Sequence, residues 1–93
     1  MSLDPRYSPQ AAEQLDRLAA DPATGSLYDA VCDAIDLICD HPRSAEARRE
    51  SLRTQAGNTV WRVPVRYFRD EESWLLLWQP LGEEALIACI GTM

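Results

Sequence analysis

The chain has 93 residues, the length of one small domain, and nine arginines against fifteen acidic residues give it a formal net charge of −6. This acidic balance argues against a general nucleic-acid binder, because contacts to phosphates need a basic surface. A hydrophobic content of 46% and a charged content of 26% exclude a disordered chain.

The apolar runs and the cysteines limit the cellular compartments that the sequence allows. The longest uncharged apolar run, Trp74 to Trp78, is far too short to cross a membrane, and no basic segment followed by an apolar stretch opens the chain. Three cysteines form no paired disulfide framework. The sequence therefore predicts a reduced, cytoplasmic protein without membrane contact.

The N-terminal half predicts two helices. Residues 3–7 form at most a brief edge strand. Ser8-Pro9 is a strong helix start, because serine caps and proline fits the first helical position, and this helix runs to about residue 20. Ser26 is expected to cap a second helix over residues 27–40. The short loop between the helices predicts an antiparallel hairpin.

The C-terminal half predicts a sheet. Residues 44–53 are expected to form a short helix capped by Ser44, with Leu52 as its large apolar anchor. Three strands follow, at about 59–68, 74–78 and 85–90. Tight connections between consecutive strands predict an antiparallel meander. The expected fold is therefore α+β: a two-layer sandwich in which the helical hairpin packs on one face of a three- to four-stranded antiparallel sheet.

The first of these strands, at about 59–68, places apolar and charged side chains on opposite faces of the sheet. Successive residues of a strand face opposite sides of the sheet, so Trp61, Val63 and Val65 point to one side and Arg62 and Arg66 to the other. The apolar side is expected to pack on the helices. The arginine side is either a functional surface or a solvated face whose charges pair with acidic residues of the strand-joining turns at 71–72 and 83–84.

The second strand, residues 74–78, is apolar on both faces. Such a strand suits a central position that is covered on both sides, at least in part. Its tryptophans are expected to pack in the core. Cys32 and Cys39 lie on one face of the second helix but about 10 Å apart along it, which is too far for one zinc ion. Core packing is the expected role of the cysteines, and no metal or other cofactor is predicted.

The order of these elements, with the strand Trp61-Arg62-Val63 opening the sheet, resembles the RelE/ParE toxin superfamily. The similarity covers about residues 8–91. Its further points are Pro9-Gln10-Ala11-Ala12, Leu15 to Leu18, Ala34-Ile35-Asp36-Leu37-Ile38 before His41-Pro42, Leu52, and Ala88-Cys89-Ile90-Gly91. The resemblance implies a small toxin with helices on one face of a sheet, held by a cognate antitoxin protein. RelE-like members cleave mRNA on the ribosome, and ParE-like members inhibit DNA gyrase.

The resemblance also implies a site. Arg62 matches an arginine that family members commonly carry in this strand, and we assign Arg62 and Arg66 as candidate catalytic residues that hold the scissile phosphate. The linker is the segment between the second helix and the first of the three strands. Its arginines Arg48, Arg49 and Arg53 are the candidate RNA-binding residues. Such an enzyme would be a metal-independent endoribonuclease, and it would still need a general acid or base.

A second hypothesis uses the same fold without catalysis. The chain ends Gly91-Thr92-Met93 and lacks the Arg-Tyr that usually closes the last strand of the family. Together with the charge of −6, this favours an inert protein-binding module, including a gyrase binder of the ParE kind. Both hypotheses remain open at this point, as does a homodimer.

Overall fold

The computed structural model describes residues 2–65 and 73–92. In chain order the elements are β1 (Asp4–Tyr7), α1 (Pro9–Ala20), a 3₁₀ turn (Pro22–Thr24), α2 (Gly25–Asp40), β2 (Glu50–Arg53), β3 (Thr59–Pro64), β4 (Trp74–Leu81) and β5 (Glu84–Thr92). Neither helix has the length and apolar character that crossing a membrane requires, as judged over these described residues.

The strands form one open sheet in the order β1-β5-β4-β3-β2. β1 runs parallel to β5, and the other neighbours are antiparallel. The α+β class is confirmed, but the expected sheet of three to four antiparallel strands is wrong in its strand count and in its purely antiparallel pairing. The parallel partner of β1 lies about 80 residues away in the chain, and a local sequence pattern carries no information about so distant a pairing.

The start of α1 is built as the sequence predicts. The Ser8 hydroxyl accepts a hydrogen bond from the backbone N–H of Ala11 at 3.1 Å, and Pro9 takes the first helical position. The same hydroxyl donates to the carbonyl of Ala88 in β5 at 2.7 Å. One serine therefore both caps the helix and ties it to the sheet.

The start of α2 differs from the prediction. The helix begins at Gly25 with Thr24 as its N-cap, and this cap makes no side-chain hydrogen bond to the helix. Ser26 therefore lies within the first turn rather than at the cap. The Thr24 hydroxyl donates instead to the carbonyls of Leu18 and Asp21, at 2.8 and 3.0 Å. This tie fixes the turn between the two helices.

The segment predicted as a helix at 44–53 forms a single turn and then a strand. Ser44 does cap that turn, because its hydroxyl accepts from the N–H of Ala47 at 3.1 Å. The chain then enters β2, where Leu52 pairs with Val60 of β3. Leu52 is 42% exposed and is not the predicted anchor, whereas Ala47 is fully buried. Pairing with β3 has overridden the local helical preference.

The core lies between the helices and one face of the sheet. Its largest fully buried side chains are Trp78, Ile38, Leu76, Ile87 and Val31. Val63 and Val65 are buried in this cluster, and Trp61 and Trp74 pack against it, so the predicted core roles of that strand face and of the tryptophans are confirmed. Of the three cysteines only Cys39 is buried, whereas Cys32 and Cys89 are partly exposed.

The β4–β5 hairpin is longer than predicted. Its strands join through Gly82, whose φ of 63° is a left-handed conformation that glycine adopts at little cost. The register shifts between Leu77 and Trp78, which pair with Cys89 and Ile87, so Ala88 is an extra residue in β5. β3 ends at Pro64, one residue before the described segment stops at Val65. The predicted continuation of this strand over residues 66–68 lies outside the described residues.

Candidate functional site

The side of the sheet that faces away from the helices carries an apolar surface. Trp61, Leu76 and Trp78 pack with the helices, so the residues that alternate with them point to the opposite side. Directly paired residues of neighbouring strands share a face, which places Leu77, Arg62 and Cys89 together. We call this surface the open face and define it by its apolar members, Leu52, Val60, Leu75, Leu77, Leu86 and Cys89.

The apolar residues of the open face differ in exposure, although both helices lie on the other side of the sheet. Val60 is only 6% exposed, yet it lies outside the main core cluster. Leu75, Leu77 and Leu86 are partly buried. Leu52 and Leu81, at the margin of this surface, are 42% and 45% exposed. Partly exposed apolar residues that are contiguous across neighbouring strands mark interaction surfaces more often than isolated ones do.

Two ion pairs lie at opposite ends of the open face. Glu50 of β2 is directly opposite Arg62 of β3, and their side chains form an ion pair. Arg6 of β1 pairs with Glu84 of β5 at 3.3 Å. Sequence analysis expected the arginine face to pair with turn residues at 71–72 or 83–84. Residues 71–72 lie outside the described residues, so the prediction for them stays open. Among the described residues Glu50 is the partner of Arg62, because the unexpected strand β2 brings it alongside β3.

Arg48 lies on the helix side of the sheet. Its Nε donates to the carbonyl of Pro42 at 2.8 Å. Its guanidinium carbon lies 5.2 Å from the ring centroid of Trp61 and 5.8 Å from that of Trp78, within the range of cation–π contacts. The indole N–H of Trp78 donates to the carbonyl of Ala47 at 2.8 Å. Arg48 and Trp78 therefore hold the linker against the core, and the sheet separates Arg48 from Arg62.

A cleft at the β2 edge brings two predicted arginines together. It has a volume of about 310 Å³, and the residues that line it include Arg49, Glu50, Arg62, Ser73 and Trp74. The cleft offers two guanidiniums, one carboxylate and an indole ring. Such a set can hold an anion, but Glu50 already balances the charge of Arg62.

The other predicted site residues lie elsewhere. Arg53 is exposed at the far end of β2 and alternates onto the helix side, about 10 Å along the strand from Glu50. The prediction for Arg66 lies outside the described residues. The structure thus brings Arg49 and Arg62 together and leaves Arg48 and Arg53 apart from them.

Among the described residues, the ionisable groups with shifted pKa values lie in β1 and α2 rather than at the cleft. Burial raises the pKa of the Cys39 thiol and of the Tyr7 hydroxyl, and a hydrogen bond with Cys32 raises the pKa of Tyr28. All three groups therefore remain protonated at neutral pH, and none is prepared to act as a general base. Within residues 2–65 and 73–92, no three His, Cys, Asp or Glu side chains group closely enough to hold a metal ion.

Sequence reasoning missed the open face as a surface and Glu50 as a site residue. A signal was present, because Leu75 and Leu77 share one face of the second strand and Val60 shares the face of Arg62. Joining these residues into one surface requires the strand order and register, which the sequence pattern alone does not supply.

Comparisons of the chain with protein-family models, curated proteins and solved structures found no match. The similarity to the RelE/ParE toxin superfamily therefore remains a prediction that rests on the residues of this sequence.

Proposed function

We propose that the protein is a toxin or toxin-like component of a type II toxin–antitoxin pair, acting in the cytoplasm by binding another protein through its open face. The observation that carries the proposal is the apolar surface around Leu77, on the side of the sheet away from both helices. Its partners in this proposal are the cognate antitoxin and a protein target such as DNA gyrase.

The layout of the chain supports the family part of the proposal. Two helices precede β2 to β5, and their buried residues pack on one side of the sheet. A two-layer RelE-like sandwich has this arrangement of layers, as the resemblance implies. β3 carries Arg62 directly after Trp61, which is the position that the resemblance implies for the family's arginine.

The placement of the arginines favours binding over RNA cleavage. The charge of Arg62 is balanced by Glu50, and Arg48 is engaged with Pro42 and two tryptophans. A guanidinium that is already paired with a carboxylate attracts a phosphate less strongly, because the two anions compete for it. The predicted phosphate-holding set is thereby reduced to Arg49 and Arg62 among the described residues.

Ribonuclease activity is the second candidate, and the cleft at the β2 edge favours it. Arg49 and Arg62 line this cleft together with Trp74. Guanidiniums can hold a phosphate, and an indole ring can stack on a base. In this version Arg62 and Arg66 stabilise the charge of the transition state and Arg49 binds the RNA, whereas Arg48 and Arg53 lie on the other side of the sheet and take no part.

The two candidates are separated by an assay on the purified protein. We expect no cleavage of mRNA, with or without ribosomes, and direct binding to gyrase or to the protein encoded by an adjoining reading frame. Leu77→Arg should abolish that binding, whereas Ala19→Arg, which adds the same charge at an exposed site on α1, should preserve it. RNA cleavage that disappears in the Arg62→Ala/Arg66→Ala variant would establish the ribonuclease instead. Failure of both proteins to bind would contradict the proposal.

A further inference from the structure

We propose that the free edge of β2 binds an extended segment of a partner protein as an added antiparallel strand, and that this segment alternates acidic with apolar residues. The inference goes beyond the proposed function, because it concerns the edge of the five-stranded sheet rather than the open face. Sheet edges recognise peptides in this way through main-chain hydrogen bonds, and side-chain contacts add specificity.

The backbone of β2 directs hydrogen-bonding groups away from the sheet at two residues. In an antiparallel pair, residues that exchange backbone hydrogen bonds alternate with residues that do not. The N–H of Thr54 donates to the carbonyl of Asn58 at 2.9 Å, at the end of the β2–β3 hairpin. Two residues back, Leu52 also bonds to β3, so Ser51 and Arg53 on either side of it direct their N–H and carbonyl groups away from β3.

The hydrogen bonds on the other side of β3 agree with this assignment. The N–H of Val65 donates to the carbonyl of Trp74 at 2.9 Å, so Val63 also bonds to β4 by alternation. Arg62, between them and β2, then bonds to β2 opposite Glu50. Both hairpins therefore place the bonded residues of β2 at even positions and the free backbone groups at odd positions.

The opposite edge of the sheet, at β1, is protected against an added strand. The N–H of Ser8 donates to the carbonyl of Ile87 at 3.0 Å, so by alternation Leu3, Pro5 and Tyr7 face the free side. The N–H of Leu3 is taken by a carbonyl in the last turn of α2 at 2.7 Å, and proline has no N–H to donate. Proline on an edge strand is a known defence against pairing. β2 contains no proline, and its four residues are all exposed.

The charge beside β2 favours an acidic segment as the occupant. The linker carries four arginines against two glutamates, in a chain whose net charge is −6. Arg49 and Arg53 are exposed, and neither forms an ion pair within the part of the chain that the structure describes. A second copy of β2 would bring the same arginines together, whereas a strand that carries carboxylates would pair with them.

The side chains of β2 determine the order of residues in the added strand. Directly paired residues of neighbouring strands share a face of the sheet. Arg53 lies on the helix side, so the residue beside it should be acidic. Leu52 lies on the open face and is 42% exposed, so the residue beside it should be apolar. The apolar side chain of the partner then extends the open face across the edge.

An NMR titration of the isotope-labelled full chain with the capped peptide Val-Glu-Val-Glu-Val tests the inference. The dissociation constant should be about 0.1–1 mM, because only two residues of β2 offer backbone groups. The amide protons of Ser51 and Arg53 should shift downfield as they gain hydrogen bonds, and that of Tyr7 on the protected edge should not. A peptide that produces no shifts at about 5 mM overturns the inference. So does a peptide that shifts the signals of Leu77 and leaves those of Ser51 and Arg53 unchanged.

Backbone methylation of the peptide separates strand addition from other contacts without changing the protein. In the antiparallel strand, the glutamates beside Ser51 and Arg53 direct their N–H groups toward β2, and the valines direct theirs to solvent. N-methylation of both glutamates should therefore abolish binding. N-methylation of the valines is the matched control and should keep the affinity within about threefold. Binding that survives methylation of the glutamates overturns the inference.

Charge reversal at the edge tests the chemistry of the partner. Arg53→Glu should weaken binding of the acidic peptide at least about fivefold, because like charges then lie side by side. Arg43→Glu makes the same charge change at an exposed position outside β2 and should have less than about a twofold effect. The peptide Val-Arg-Val-Arg-Val should bind the Arg53→Glu variant better than the wild type. Circular dichroism shows whether each variant is folded. A wild type that binds the basic peptide more tightly than the acidic one overturns the inference.

The added strand and the proposed function can fail separately. A chain that binds gyrase or the adjoining gene product through Leu77 and does not bind the peptide keeps the function and rejects the added strand. A chain that binds the peptide at Ser51 and Arg53 but binds neither protein keeps this inference and rejects the function.

Discussion

The two sides of β4 differ sharply although their sequences are alike. Leu76 is fully buried against the helices, whereas its neighbour Leu77 points to the open face. Both are leucines in one apolar run, and only the helices distinguish their surroundings. Sequence analysis expected this strand to be covered on both sides at least in part, and the described helices cover one side. One apolar strand thus supplies the core with one of its faces, and its other face is the one for which we propose binding.

The arginines show the same division. Arg48 on the helix side is fixed by a carbonyl and two indole rings, which makes it part of the packing. Arg62 on the opposite side forms an ion pair with Glu50 and lines a cleft. Sequence analysis assigned Arg48 and Arg62 to one site. In the structure they lie on opposite sides of the sheet and make different contacts.

The largest expected effect is on the helix side, at Trp78. Its side chain is fully buried and donates a hydrogen bond to the carbonyl of Ala47. Trp78→Ala should lower the free energy of unfolding by about 3–5 kcal/mol in urea denaturation. Trp78→Phe keeps an aromatic ring but loses the N–H donor, so its cost should be clearly smaller. A loss below about 1 kcal/mol for the alanine variant would contradict the assignment of Trp78 to the core.

The comparison of the two faces is sharpest at Leu76 and Leu77. Leu76→Ala should cost about 2–5 kcal/mol, because it leaves a cavity in the core. Leu77→Ala should cost about 1 kcal/mol or less at low protein concentration, because its side chain is only partly buried. The measurement is urea denaturation of both variants near 1 µM. Equal costs would show that the open face is covered in the isolated chain.

A smaller effect is expected where α1 meets the sheet. Ser8→Ala removes the cap of α1 and the hydrogen bond to Ala88, so it should cost about 1–2 kcal/mol. Ser26→Ala is the matched control, because this serine lies inside the first turn of α2 and caps nothing. Thermal unfolding of the two variants measures the difference. A Ser26 variant as unstable as the Ser8 variant would contradict the helix boundaries.

The pH dependence of stability should report on Cys39. Burial, followed by the nearby carboxylates of Asp36 and Asp40, raises the pKa of this thiol above its unfolded value. The folded state therefore favours the protonated thiol. Its contribution is fully present below the unfolded pKa of about 8.5 and is lost as the pH rises through the folded pKa.

Urea denaturation of the wild type and of Cys39→Ala, from about pH 7 to 10, isolates this contribution. The difference in unfolding free energy between the two proteins should shrink toward alkaline pH. Cys32→Ala is the control for general alkaline effects. A difference that stays constant over this range would contradict the raised pKa of Cys39.

The smallest effect is expected at the ion pair of the open face. Glu50 and Arg62 lie at the sheet surface, with half of the Glu50 side chain exposed, so their coupling should be about 1 kcal/mol or less. A double-mutant cycle of Glu50→Gln and Arg62→Gln measures it, and added salt should reduce it. A coupling of several kcal/mol would show that Arg62 is more deeply engaged than its surface position implies.

Much of the fold follows from local sequence signals. Ser8-Pro9 marks the start of α1, Pro22 follows its end, and the alternation through Val63 predicts which side of β3 is buried. These signals act over a few residues, and at these positions the tertiary contacts agree with them.

What the sequence could not supply depends on distant contacts. The turn capped by Ser44 does form, but pairing with β3 converts the rest of the expected helix into β2. Arg48 and Arg62 fall on opposite sides because the linker folds back over Trp61 and Trp78. The site predicted from clustered arginines could not include Glu50, because its position opposite Arg62 follows from that strand pairing.

The most direct test of the division between the two faces is the affinity of the chain for the protein encoded by an adjoining reading frame. Isothermal titration would compare the wild type, Leu77→Ala and the surface control Ala19→Glu, after each is shown to be folded. The account predicts that Leu77→Ala binds at least about tenfold more weakly, a loss of about 1.4 kcal/mol, while the control binds as the wild type does. Unchanged affinity for Leu77→Ala would contradict the claim that the open face is the binding surface.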